Sequence, residues 1–194
     1  METTALQTIS NARRSVRKQF KSVEAFVAWA SGQKFNYELV NHRAVRKPMI
    51  KKNELMIIWW LNRFFKQTKA YKEDAALVAE VGMQVITENF RIPDLAYFTY
   101  EQCSAAAKGA KVIPDLAIEI LSKSETVEEV AEKLTDYFAS GVKVVWYIYP
   151  KAEQIYVYTS PKNITVCEGE DICSAAPALS DFEFPAAMIF KKER

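Results

Sequence analysis

Histidine, glycine and cysteine are scarce in this 194-residue chain, and each shortage removes a class of chemistry. The one histidine, His42, falls where a hairpin should turn, so histidine-built metal centres, histidine-metal nuclease sites and serine triads have little to build on. Five glycines provide neither a phosphate-cradling loop nor a dinucleotide fingerprint. Cys103, Cys167 and Cys173 are odd in number and share no metal-ligand spacing, which reads as reduced thiols in a cytoplasmic protein. No stretch is long enough to span a membrane and no apolar run at the N-terminus resembles a signal peptide; the strongest hydrophobic block, residues 55–61, is only seven residues long.

What is present fits one folded domain. A hydrophobic content of 49% with 12% aromatics can fill a substantial core, which excludes a disordered chain. Net charge is +2 but unevenly spread: residues 1–72 hold 15 Lys+Arg against 4 Asp+Glu (+11), and residues 73–194 hold 11 against 20 (−9). The basic side chains of the first part, among them Arg43, Arg46, Lys47 and Lys51, could face a polyanion. They could equally solvate a surface and pair with the acidic remainder.

Residues 1–20 are polar, basic and aperiodic, so a flexible or loosely docked arm is expected ahead of a single domain over 21–194. Ser22 can cap a helix over Val23–Ala30. Residues 35–40 and 43–46 suggest a hairpin turning at Asn41-His42. A long helix follows over about 53–70, apolar nearly all round at first, which implies deep burial or a subunit interface of a homodimer. Strands are expected at 76–81, 84–87, 95–99 and 116–121. Residues 126–139 make a helix, with Thr126 and Glu129 as a capping box, Val127, Val130, Leu134 and Tyr137 as the buried stripe, and Gly141 as the stop. Strands at 144–149, 154–159 and 164–167 and a short helical turn over 185–190 complete an α/β or α+β fold: a central mixed sheet flanked by helices.

The chemistry lies in carboxylates where a core strand has few reasons to carry them. Side chains alternate faces along a strand, so Leu116, Ile118 and Ile120 share a core face while Asp115, Ala117, Glu119 and Leu121 share the other. Asp94 follows Pro93, which marks a strand start or edge. Burying an ionised carboxylate costs several kcal/mol without compensation (roughly, for a real protein interior). Asp94 and Glu119 on neighbouring strands could therefore converge on one hard cation, Mg²⁺ or Mn²⁺. The alternative is that Asp94 and Asp115 are turn residues and Glu119 pairs with a lysine. Lys133 sits on the 126–139 helix beside Val130 and Tyr137, able to present its ammonium toward the sheet or to snorkel into an ordinary surface pair. Glu38, on the strand face opposite Tyr37 and Leu39, either completes the metal shell or faces solvent.

These fragments together are familiar. Tyr37-Glu38-Leu39-Val40, Arg91-Ile92-Pro93-Asp94-Leu95, Pro114-Asp115-Leu116-Ala117-Ile118-Glu119-Ile120-Leu121-Ser122, Glu132-Lys133-Leu134 with Tyr137, and Gly141-Val142-Lys143-Val144-Val145-Trp146 resemble the Uma family, over about residues 20 to 190. The resemblance implies a restriction-endonuclease-like core of the PD-(D/E)XK type and Mg²⁺-dependent phosphodiester hydrolysis. Asp94 matches the first acid of that pattern, Glu119 the second and Glu38 an early glutamate. The wider superfamily has a lysine two residues after the second acid; Leu121 stands there, as is usual in this family, and Lys133 matches the helix lysine held to substitute for it. Two departures are visible. Asn41-His42-Arg43 replaces a common Asp-Gly turn, and Asn53-Glu54 falls near a frequent histidine.

The leading expectation is thus a metal-dependent nuclease acting on nucleic acid, DNA first, with Asp94, Glu119 and Glu38 at the ion and Lys133 orienting the attacking water. Two rivals stand beside it: a catalytically inactive nucleic-acid-binding or protein-interaction module with the same fold, and a structural subunit that assembles through the apolar helix.

Overall fold

Residues 15–86, 88–121 and 125–191 are described by the computed structural model of the chain. A first strand, β1 (Ser15–Gln19), leads into helix α1 (Val23–Ala30), whose first turn is capped by the Ser22 hydroxyl accepting from the Ala25 N–H. The hairpin of β2 (Tyr37–Val40) and β3 (Arg43–Arg46) turns at Asn41 and His42, with φ of 49° and 62°, the left-handed pair that a two-residue hairpin loop demands. A 3₁₀ turn (Lys52–Glu54) precedes α2 (Leu55–Phe65), followed by the single-turn α3 (Lys69–Lys72). Then come β4 (Ala76–Ala79), β5 (Met83–Gln84), β6 (Phe90–Arg91), β7 (Leu95–Phe98), α4 (Tyr100–Ala107), β8 (Leu116–Ile120), α5 (Val127–Ala139) and β9 (Val144–Tyr149). Strands β10 (Gln154–Ser160), β11 (Asn163–Glu168), β12 (Ile172–Ala175) and β13 (Leu179–Pro185) and a closing 3₁₀ turn (Ala186–Phe190) finish the chain.

The strands form two larger sheets and one ribbon. The first sheet has the order β1-β3-β2-β6-β5, the second β11-β10-β9-β8-β7-β4, and β12 pairs with β13. In the second sheet β8 and β9 run parallel, which requires a crossover, and α5 supplies it. Its other ladders are antiparallel, so the sheet is mixed, as expected. One face packs Leu116, Ile118 and Ile120 against α2, the β12–β13 ribbon and the final turn; on the other, Ala117, Leu121 and Val145 meet Leu134 and Tyr137 of α5. A third cluster, Phe20, Val23, Phe26, Leu39 and Ala44, seats α1 on the first sheet. No helix among the described residues is long and apolar enough to cross a membrane.

Several expectations are revised. Of the basic arm, residues 1–14 lie outside the described residues, and Ser15–Gln19 is a strand paired with β3. The helix expected over 53–70 ends at Phe65, because the Thr68 hydroxyl donates to the Phe65 carbonyl (2.7 Å) and accepts from the Tyr71 N–H (3.1 Å), capping a new helix instead. Its apolar faces are mostly core: Ile57, Trp60, Leu61 and Phe65 are buried, and of its large apolar side chains Leu55 and Trp59 remain exposed. Strand 84–87 shrinks to Met83–Gln84, and Thr87 lies outside the described residues. Helix α4 was not anticipated. Val127 is not in the buried stripe of α5 but 81% exposed, since it lies in the first turn, ahead of the sheet.

The capping box of α5 is present in full, with Thr126 accepting from the Glu129 N–H and Glu129 from the Thr126 N–H. Removing it in Thr126→Ala should cost about 1 kcal/mol, a drop in Tm of roughly 2–4 °C for a domain of this size, readable by thermal unfolding.

Candidate functional site

The register of the second sheet brings the two acids together. Leu95 of β7 lies opposite Ile118 of β8 in an antiparallel ladder, so one step back along β7 and one forward along β8 places Asp94 across from Glu119. Directly opposed residues point to the same side, here the face covered by α5. Asp94 is fixed at both oxygens: Oδ2 accepts from the Ile120 N–H (2.7 Å) and Oδ1 from Lys47 Nζ (2.7 Å). Glu119 is held from the helix, its Oε1 accepting from Lys133 Nζ (2.9 Å) and from the Tyr137 hydroxyl (2.5 Å). Lys133 and Tyr137 are one turn apart on α5, so both reach the same carboxylate.

Glu38 comes from the first sheet. The Leu39–Phe90 pairing of β2 with β6 places Glu38 across from Arg91. Glu38 Oε1 accepts from the Ile92 N–H (3.1 Å) and lies 3.4 Å from Lys133 Nζ, while Oε2 is 3.7 Å from Arg91. Arg91 in turn grips Asp136 of α5, with Nε at 2.6 Å and Nη2 at 2.5 Å from one oxygen, which also accepts from Asn89 (3.0 Å). Asn89 accepts from the Asn41 N–H, and the Asn41 side chain donates to Glu132 on α5. The altered hairpin turn is thereby tied to the helix that carries Lys133. Residues 92–94 carry the chain from one sheet to the other, so the whole cluster sits at the seam between them.

Glu38, Asp94, Glu119 and Asp136 face Lys47, Arg91 and Lys133, and none of the seven is more than 7% exposed. Four acids against three bases leave one negative charge in excess. Charges this deep are tolerable only because each is paired and hydrogen-bonded. Burial alone would lower the Lys47 ammonium, but Glu119, Asp94 and Glu38 more than reverse this and hold it above the usual lysine range. Burial raises Glu119 from the ordinary carboxylate value, with Lys133 and Lys47 pulling the other way. Tyr137 is pushed well up, by burial and by the Glu119 charge, so its hydroxyl stays a donor.

The cluster borders a small pocket. Asp94, Glu119 and Lys47 border a pocket of about 20 Å³ together with Glu54, Lys51 and Glu125, room for a single water-sized particle. Glu38 and Lys133 are not among the residues bordering it.

The sequence-derived candidates are thus all in one network, with Asp94 and Glu119 at its mouth and Glu38 and Lys133 behind them. Asp115 is elsewhere: it pairs with Lys143 (2.8 Å) at the exposed entry of β8. Lys47 was missed as a site residue although alternation along β3 extends to it. The sequence reading ended the strand at Arg46, but Lys47 still pairs with Asn36 through its N–H and continues the face of Val45, the residue opposite Glu38. Arg91 and Asp136 carry no local signal, because their pairing spans 45 residues.

Comparison with known proteins agrees with this fold. A crystal structure described as a putative nuclease belonging to DUF820 from Anabaena variabilis superposes with a TM-score of 0.71, at 18% identity, covering 87% of this chain and 97% of that one, a likeness of fold. No curated protein matches. The family model Uma2, described as "Putative restriction endonuclease", matches residues 23–187, a span that includes Glu38, both acidic strands and the helix with Lys133. The chain belongs to the Uma2 family.

Proposed function

We propose that the chain is a divalent-metal-dependent endonuclease that hydrolyses phosphodiester bonds, with DNA as its substrate. The observation that carries this reading is the pair of opposed acids, Asp94 and Glu119, at the mouth of a buried cluster with one negative charge in excess. Family membership and the fold likeness support it.

The donor chemistry fits a hard ion in kind, being all oxygen. Asp94 and Glu119 are the residues that would hold Mg²⁺ or Mn²⁺, since both border the pocket. Among the described residues no group of three or more Asp, Glu, His or Cys side chains stands ready to chelate an ion. Glu38, expected as a third ligand, is instead held by the Ile92 N–H, Arg91 and Lys133. A bound ion would lower the pKa of its water and neutralise charge on the phosphate. The chain's own side chains do the rest. Lys133 pulls against the upward push of burial on Glu119, Lys133 and Tyr137 together fix its carboxylate at the mouth, and Glu38 keeps Lys133 in place. Exposed Lys51 at the rim, with Lys52 and Arg43 nearby in sequence, would meet the phosphate backbone, which makes affinity fall with salt.

A second reading, an inactive nucleic-acid-binding module, is favoured by one feature: both acids already have an ammonium partner within 3 Å. Plasmid nicking with Mg²⁺ separates the two. Under the nuclease reading Glu119→Gln abolishes nicking and Lys133→Gln reduces it about 10–100-fold, the usual effect of removing a ligand's supporting partner, with both variants folded. No nicking above background by wild type or either variant, together with no Mn²⁺ effect on the wild-type melting temperature, would instead establish the module.

Asp136→Ala should behave differently. It removes the main partner of buried Arg91 and should cost about 3 kcal/mol of stability, a Tm drop of roughly 6–12 °C. Circular dichroism melting checks this, and a loss under 1 °C would show that Glu38 and Glu132 suffice to hold Arg91.

A further inference from the structure

We infer that Lys47 is the exchangeable cation of the site: its ammonium neutralises Asp94, competes with a divalent ion for that carboxylate, and on yielding it turns into the mouth to meet the substrate phosphate. This rests on the nuclease reading above and adds to it a residue and an order of events.

The two lysines of the cluster are not equivalent. Lys133 lies behind Glu119, shares that carboxylate with Tyr137, has Glu38 at 3.4 Å and does not border the mouth. Lys47 borders the mouth, and among the described residues its ammonium donates to Asp94 alone, at 2.7 Å. It sits just past the end of β3, followed by Pro48, which cannot donate to a ladder and so leaves the chain free to depart from the sheet. The path outward is lined by Pro48, Met49 and Lys51, and Met49 is 68% exposed. Asp94 Oδ2 accepts from the Ile120 N–H and Oδ1 from Lys47, so an ion that binds this carboxylate through Oδ1 competes with Lys47 for it. An ammonium and a divalent ion on one oxygen repel strongly in a partly dry site. Once displaced, a lysine retains its charge and gains a phosphate as its new partner, because a compact ammonium on a flexible stem can rotate where a guanidinium fork could not.

Two measurements test this. In the wild-type protein, amine acetylation followed by mass spectrometry should leave Lys47 unmodified without metal and label it when Mn²⁺ is at saturation, with Lys133 protected in both. Continued protection of Lys47 at saturating Mn²⁺ would overturn the inference. Calorimetric titration should show Lys47→Gln taking Mn²⁺ about tenfold or more tighter than wild type, while its KM for a DNA duplex rises and Lys47→Arg stays at or below the wild-type metal affinity. A lysine that merely braced Asp94 would give the reverse, weaker metal binding in Lys47→Gln. If wild type binds Mn²⁺ as tightly as Lys47→Gln, the Lys47 inference alone falls. If neither takes Mn²⁺ and neither cleaves, the nuclease reading falls and this inference with it.

Discussion

Everything at the seam depends on one balance: carboxylates that would repel each other inside a dry interior are held together by ammonium and guanidinium groups brought from three different elements. Lys47 arrives from the end of β3, Arg91 from β6 and Lys133 from α5. Asp94 and Glu119 oppose each other across adjacent strands, and unneutralised acids at that separation would drive the strands apart or take up protons. The pairing is therefore what permits the register, and the register is what creates the site. Arg91 extends the same logic one layer back by anchoring Asp136, so that α5 is fastened to both sheets through charge as well as through Leu134 and Tyr137.

This arrangement also reconciles stability with reactivity. A site made only of acids would be poised for a cation but costly to fold, whereas one fully neutralised would be stable and inert. Here the deep members Glu38, Arg91 and Asp136 are each held by three contacts or more, and Lys133 ties Glu38 to Glu119. The members at the mouth have fewer: Asp94 has one backbone and one side-chain partner, and Glu119 takes both of its hydrogen bonds on a single oxygen. The rigid part thus supports the members at the mouth.

Much of this was legible in the chain itself, and for definable reasons. The period-2 pattern of residues 116–121 separated Glu119 from Ile118 and Ile120, and Pro93 marked the strand start at Asp94. The helical period put Lys133 beside Tyr137. What escaped the sequence lacked a local signature. Helix α4 buries no residue, so it has no apolar stripe, and its only mark, the Thr99–Gln102 capping box, was passed over. Alternation set Glu38 on the face opposite Tyr37 and Leu39 but left open whether that face met an ion or solvent; its burial and capture by Arg91 depend on a pairing of β2 with β6 that no short window contains. Lys47 was read as one more charge in a basic stretch, because the length of β3 could not be judged from four residues.

Residues 92–94 link the two sheets, and this has a consequence for how the molecule assembles. The Glu119–Lys133 contact closes over 14 residues of chain, within a single strand–helix unit, whereas Lys47–Asp94 closes over 47 and Glu38 to the Ile92 N–H over 54. Short loops close at lower entropic cost, so the α5 side of the centre can form while the chain is still incomplete and the β2–β3 side must wait for docking of the two sheets. A nascent or partly unravelled chain then carries half a centre, and the complete charge cluster becomes a property of the finished tertiary structure alone.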